Sequence, residues 1–307
     1  MHIETLESKV REVHPNIKDT SVRAYALSLK AIVPPVAEDF SDLYQVSAVL
    51  SKLENYKDTT RKNILNAAVV VLKNDDQGQE AFKVYEKERD KYNENYQNLM
   101  KDHTKTESQE KNWVDWPDYV TMVEKMKRET TSLKSTQTWT MADKMKFQDY
   151  LVALLYQNYP LRNDFVAKLI GKREYNRLTD DDTRETNYVA TNGSSFTLVI
   201  NEYKTSQKYG RKEIPMDDGQ VKRALRKWFR HNDSGSLLIN SHNKPMQANG
   251  VSKLLTRVGQ QRLGRYLGSS LLRHSYLSHK YKAVTLEKQK DADLMMHSEA
   301  MQQAYIK

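Results

Sequence analysis

The chain has 307 residues and a net charge of +9, with 29% of its residues charged; its isoelectric point is near 9.3 and its mean hydropathy −0.81. That length suits two domains of roughly 100–200 residues each, no run approaches the ~18 apolar residues of a membrane span, and the start, MHIETLESKVREVHP, lacks the apolar core of a secretory signal. The absence of cysteine excludes disulfides, thiolate zinc sites and cysteine nucleophiles, and the basic excess favours a polyanionic partner.

The first third reads as helical. Asp19, Thr20 and Ser21 supply helix-starting residues, and Val22, Tyr25, Ala26, Leu29 and Ile32 follow at helical spacing. Pro34 and Pro35 end that helix, because proline has no N–H to donate and clashes with the preceding turn. A second helix is predicted from Asp42 to Tyr56, with Leu43, Val46, Val49, Leu50 and Leu53 as its apolar stripe. Asp58 and Thr59 start a third, carrying Ile64, Ala67, Val70, Val71 and Leu72, and Asn74-Asp75-Asp76 with Gly78 closes it. A polar helical stretch from Gln79 to about Lys105 reads as a solvated extension, and His103 to Asn112 as a hinge.

Trp113, Trp116 and Pro117 open a second unit, with the tryptophans as packing anchors and Asp115 as the cap of a helix that carries Pro117 just inside. Helices are expected near 116–128 and 141–159. A β-rich insert follows: Asn192-Gly193 is a strong hairpin signal between strands 186–191 and 195–201, where Phe196, Leu198 and Ile200 share a face. A loop with Gly210 leads to a third strand, 211–215. Helices then resume at 221–230, 248–262, 268–282 and 286–296. The fold class is therefore mainly α with a small antiparallel β-meander, an α+β chain. Its predicted divisions are a helical unit with its polar extension over 1–105, a linker over 106–112 and a second unit over 113–307.

Several residues of the second unit suit phosphate chemistry. Arg162, in NYPLRNDF, follows the break at Pro160 and is expected in the first turn of a new helix, where free N–H groups favour an anion. A guanidinium matches two phosphate oxygens at once; pairing with Asp164 is the plain alternative. Lys204, in EYKTSQKYGRK, lies on the loop between the second and third strands, which also carries Lys208, Arg211 and Lys212. Arg273 sits on a largely apolar helix, LLRHSYL, and a charge buried there requires an anionic partner. His297 and Tyr305 close the chain in MHSEAMQQAYIK. A tyrosine hydroxyl, with a pKa of about 10, becomes a nucleophile only where cations stabilise its phenolate.

Taken in order, Leu161-Arg162, Tyr203-Lys204-Thr205, the LLRHSYLSH helix around Arg273, Met296-His297-Ser298 and Tyr305 resemble the catalytic signature of the tyrosine recombinases, the phage-integrase family. The likeness covers roughly 113–307, and LLINSHNKPMQANGVSKLL resembles the segment joining hairpin to arginine helix. The NDF after Arg162 and the YKT-x-x-x-YG loop are most similar to recombinases of eukaryotic viruses and large DNA transposons. Three features depart from the family pattern. Ser270 stands three residues before Arg273, where the family has His or Lys; Phe165 stands where an acid follows the first arginine, leaving Asp164 as its candidate orienter; and the His-to-Tyr interval is one residue short.

The resemblance implies a site-specific recombinase or integrase that clamps duplex DNA between its helical core-binding unit and its catalytic unit. Arg162 and Arg273 would bind the scissile phosphate with His297, and Ser270 as a lesser hydrogen-bonding group. Tyr305 would attack phosphorus to give a 3′-phosphotyrosine, and Lys204 would protonate the leaving 5′-oxygen. Lys208, Arg211, Lys212, Lys222, Arg223 and Arg226 would bind backbone phosphates. The chemistry needs no cofactor, metal or ATP, and synapsis implies a homotetramer on DNA with no membrane partner. The protein is expected wherever its target DNA lies (the cytoplasm of a prokaryotic host, or a nucleus or viral factory) and not outside the cell. A type IB topoisomerase-like relaxing activity, or a DNA-binding relative with a degenerate site, are the alternatives.

Overall fold

The computed structural model describes residues 1–101, 104–183 and 186–295, in two compact units, Met1–Thr106 and Glu107–Lys307. The described residues are mainly helical with one small sheet, an α+β architecture. None of their helices is long and apolar enough to cross a membrane.

The first unit holds α1 (Ile3–Val13), α2 (Asp19–Leu29), a 3-10 turn at Ser41–Tyr44, α3 (Val46–Leu53), α4 (Asp58–Leu72) and α5 (Gln79–Lys101). Leu6, Val10, Ala26, Leu29, Leu43, Leu65 and Leu72 form a closed core, where a fully buried aliphatic side chain stabilises by about 1.5–3 kcal/mol. Two expectations change here. The helix predicted from Asp42 to Tyr56 is broken at Gln45, whose φ of −79° and ψ of 67° leave the helical region. The polar stretch after Gln79 is not merely a solvated extension, because its first turns carry Ala81 and Tyr85 into the core. The Tyr85 hydroxyl donates to the Leu43 carbonyl at 2.6 Å, which satisfies the one polar atom a buried tyrosine brings.

The second unit begins with α6 (Glu107–Asn112), a helix where the sequence predicts a hinge. Lys111 and Asn112 are held from the far end of the unit: Arg265 donates to the Lys111 carbonyl, and the Tyr266 N–H to Asn112 Oδ1 at 3.0 Å. Helices α7 (Trp116–Glu129) and α8 (Met141–Asn158) follow. Trp116 is buried, stacked on Tyr119 and edge-on to Tyr276. Thr140 and Asp143 form a reciprocal capping box that fixes where α8 starts. Helix α8 is buried almost all round from Phe147 to Tyr156, as a central core helix must be. Its buried Gln148 both donates to and accepts from the Ile239 main chain, at 2.9 and 2.7 Å.

The sheet has four strands rather than three: β1 (Lys168–Gly171), β2 (Tyr188–Thr191), β3 (Phe196–Ile200) and β4 (Lys212–Pro215), in that order. Strands β2 to β4 form the expected meander, and β1 adds to it in parallel, Leu169 opposite Val189. Short helices α9 (Lys172–Tyr175) and α10 (Asp180–Thr183) lie between β1 and β2, and α11 (Ser206–Tyr209) between β3 and β4. The β2–β3 connection is not the two-residue turn that Asn-Gly predicts. Gly193 takes a φ of 87° while Asn192 keeps a negative one, and Asn192 Oδ1 accepts the Ser194 and Ser195 N–H groups instead.

Three helices follow among the described residues: α12 (Gly219–Phe229), α13 (Ala248–Leu263) and α14 (Ser269–Leu294). Asp218 caps α12 by accepting from Gln220 and Val221. Helix α14 is one continuous element where the sequence predicts two. Gly259 on α13 lets the chain entering α14 pass close by, since a Cβ there would lie 2.7 Å from the Arg265 carbonyl and 2.4 Å from Leu267. On α14 the buried Ser275 hydroxyl donates to the Val114 carbonyl at 2.6 Å, fixing the helix that carries Arg273.

Candidate active site

Arg162 does not lie in a helix. Residues 159–167 form an irregular turn from α8 into β1, so the helix N-terminus expected beside this arginine is absent. The turn is pinned from beneath. The Tyr156 hydroxyl donates to the Arg162 carbonyl at 2.8 Å, with Asn163 Oδ1 at 3.2 Å. Asn163 in turn donates to the Ser252 hydroxyl at 2.7 Å. Phe165, where an acid was expected by resemblance, is fully buried edge-on to Tyr156. The core claims that position, so the only carboxylate the turn offers is that of Asp164.

Arg162 and Arg273 converge. Both line a cleft of about 240 Å³ together with Asp164, Tyr203 and Lys212. Arg273 is half-buried on the second turn of α14, its Nε donating to the Ser269 carbonyl at 3.3 Å. Burial first, and then the nearby Arg162 charge, lower the Arg273 pKa, while Tyr156 and Asp164 act in the opposite sense. Two like charges held together where water is partly excluded is the arrangement expected of an anion site.

Asp164 is the carboxylate that lines the same cleft. Burial raises its pKa, and Arg162, the Arg162 main chain and Arg273 counter the rise only in part. A raised carboxyl pKa means that folding opposes ionisation. Its contribution to stability is therefore full below the unfolded value near ~4 and is lost as pH rises through the folded value. Asp164→Asn is accordingly expected to raise the melting temperature at pH 7, with the gain closing below pH ~4. Thermal melts of both proteins across that range check it; a gain independent of pH would refute the assignment.

The lysines divide differently from the expectation. Lys204 is exposed on the β3–β4 loop, and it is Lys212, the first residue of β4, that lines the cleft. The Tyr203 hydroxyl donates to the Gly210 carbonyl at 2.8 Å, closing that loop on itself. Of the other basic candidates, Lys208 lies over the Tyr209 ring and Arg211 pairs with Glu213 at 2.7 Å. Lys222 lies 3.7 Å from Asp217, Arg226 donates to the Ser194 carbonyl at 2.8 Å, and Arg223 is exposed. Ser270 is exposed in the first turn of α14 and does not line the cleft. His297 and Tyr305 lie outside the described residues. Sequence reasoning missed Tyr156 as a site residue; its hydroxyl six positions before Arg162 carries no motif, and only the turn's path brings them together.

A larger cleft, about 590 Å³, opens among α7, α13 and the segment after it, lined by Trp113, Asp118 and Arg265 among others. Its Arg262 is engaged by Glu129 through two bonds of 2.8 Å, and Asp115 and Asp118 line it beside Lys125 and Arg265, so its charges are more nearly balanced than those of the smaller cleft. Charge also separates the two units. Residues 1–106 hold 16 lysines and arginines against 17 acids, a net −1; residues 107–307 hold 33 against 23, a net +10. The entire basic excess belongs to the unit that carries the arginine pair. No protein-family model, curated protein or solved structure matches the chain.

Proposed function

We propose that the protein is a DNA strand transferase of the tyrosine type, a site-specific recombinase or integrase. The observation that carries this reading is the convergence of Arg162 and Arg273, from separate elements, on one cleft with Lys212 and a single carboxylate, Asp164. The pair fits the two non-bridging oxygens of a phosphodiester. The family resemblance supplies the nucleophile: Tyr305 attacks phosphorus, the bond to the 5′-oxygen breaks, and the strand leaves as a 5′-hydroxyl. The phenol's proton is thereby exchanged for the phosphoryl group. Arginine charge stabilises both the phenolate and the crowded transition state; His297 adds a hydrogen bond, and Ser270 is a lesser candidate. Attack by a 5′-hydroxyl from a second duplex reverses the step and exchanges strands within a homotetramer. The net +10 of the second unit supports an electrostatic grip on the DNA backbone by that unit.

A nicked suicide substrate tests the reading, because loss of the short 5′-hydroxyl fragment traps the covalent complex. Protein that never becomes attached to such DNA is not a strand transferase of this kind. Relaxation of supercoiled plasmid without exchange between two sites would instead indicate topoisomerase-like action.

The β3–β4 hairpin offers two lysines for the leaving oxygen, Lys204 by motif and Lys212 by position. A thiolate leaves without a proton, so a substrate with sulfur in place of the bridging 5′-oxygen bypasses the acid. The Lys204→Ala/Lys212→Ala double variant is expected to cut an ordinary phosphodiester about 10²–10⁴-fold more slowly and the sulfur-bridged one at close to the wild-type rate. The single variants then identify which lysine acts. Equal slowing on both substrates would remove the hairpin from proton transfer.

A further inference from the structure

We infer that Asn163 is the positioning residue of the Arg162 turn, locking it to α13 through Ser252; the inference rests on the strand-transfer reading. Arg162 is exposed, so the aim of its guanidinium is set by the main chain that carries it. That main chain is irregular and has no helical ladder to hold it. The Leu161 N–H donates to the Tyr159 carbonyl at 2.7 Å where the turn begins, and the Ala167 carbonyl accepts from the Leu237 N–H at 2.8 Å where it ends. Between these points side chains do the holding. Phe165 is buried edge-on to Tyr156, and the Tyr156 hydroxyl donates to the Arg162 carbonyl at 2.8 Å. Both hold the turn to α8.

Asn163 supplies the hold to α13. Its Nδ2 donates to the Ser252 hydroxyl at 2.7 Å, and Ser252 lies in the second turn of that helix. Its Oδ1 lies 3.2 Å from the Tyr156 hydroxyl. That hydroxyl has one proton to give, and the Arg162 carbonyl is the nearer acceptor, so the Ser252 bond is the firmer of the two that Asn163 makes. Helix α13 is itself fixed by Val251, Leu254 and Leu255, all buried in the core. Ser252 is thus an anchor on the exposed side of a packed helix. Two oxygens of one phosphate must be met at fixed positions, and a displacement of ~0.5 Å is enough to spoil the fit. Asn163 does not line the cleft; it acts through the main chain of Arg162.

Ser252→Ala removes the anchor at an exposed helical position where alanine is a better helix former than serine. Its melting temperature should therefore hold or rise. Covalent attachment to a nicked suicide substrate, in single turnover at saturating DNA, should nevertheless be about 10-fold slower. Asn163→Ala should be slowed alike, and the double variant no more than the slower single one, because both substitutions break the same bond. Ser252→Thr keeps the hydroxyl and should attach at close to the wild-type rate. The Arg162→Ala background separates aiming from general support. With the arginine gone there is nothing left to aim, so Ser252→Ala and Asn163→Ala should slow attachment no further. Attachment by Ser252→Ala at the wild-type rate, or the same slowing with and without Arg162, would overturn the assignment and leave Asn163 a structural residue. Wild-type protein that never attaches would instead overturn the strand-transfer reading itself, and this assignment with it.

Discussion

Tyr305→Phe is expected to abolish covalent attachment to a nicked suicide substrate while leaving duplex binding intact. The substitution removes one oxygen and no charge, so the net +10 of the second unit, on which the proposed phosphate binding rests, is unchanged. The chain has no cysteine, and a serine hydroxyl placed elsewhere would need its own activating base. The measurement is the yield of protein–DNA complexes that survive boiling in detergent. Wild type should accumulate them and the variant should give none above background at any pH. Equal yields from the two proteins would dismiss Tyr305 as nucleophile and leave the arginine pair as a phosphate-binding site alone.

Arg273→Met is expected to separate reaction from stability. The methionine keeps much of the stem's packing and removes the charge. Loss of one preorganised cation from the transition state should slow attachment by about 10²–10³-fold, or about 2.7–4 kcal/mol. Arg273→Lys should restore little of this, because a point charge cannot meet two oxygens as a planar fork does. The DNA-free protein should respond in the opposite sense. Burial and the Arg162 charge both disfavour ionised Arg273 in the folded state, so its melting temperature should hold or rise. Arg162→Ala should show a similar kinetic loss, and the double variant should lose less than the two single losses combined, as groups acting as a unit do. Single-turnover attachment rates beside thermal melts decide it. A variant that loses stability and activity together would mark Arg273 as structural.

Much of the architecture was legible because periodicity and caps agree with packing. Val221, Ala224, Leu225 and Trp228 recur at helical spacing and are the buried face of α12. Phe196, Leu198 and Ile200 alternate and are all buried. The failures have local physical causes. Pro160 signals a break but not the type of the next element, and the short apolar run FVAKLI fits either a buried strand or the start of a helix; pairing with β2 decides for the strand. Asn192 favours the turn conformation its sequence suggests, but its carboxamide finds better partners in the next two N–H groups. Helix α1 is hard to read from sequence because its apolar residues are sparse, though Leu6 and Val10 are fully buried. At the site, the arginines were recognisable from their motifs. The residues that hold them were not, since Tyr156 and Ser269 acquire their meaning from where the chain turns; Lys212 was named for backbone phosphates, and only the fold places it in the cleft.

The sheet has a metrological consequence. Arg162 stands in the turn that leads into β1, one edge strand of the four-stranded ladder, and Lys212 is the first residue of β4, the other edge strand. Each strand is locked to the next residue by residue, from Lys168 opposite Tyr188 to Ile200 opposite Lys212. A ladder of this kind cannot stretch; it can only slip in whole steps of ~3.3 Å, each of which also turns every side chain to the wrong face. The register of the strands beneath those cations is thus graduated rather than continuous, like marks on a gauge. The soft adjustments the site needs are left to the turn above β1 and the loop above β4, while the gauge itself stays fixed.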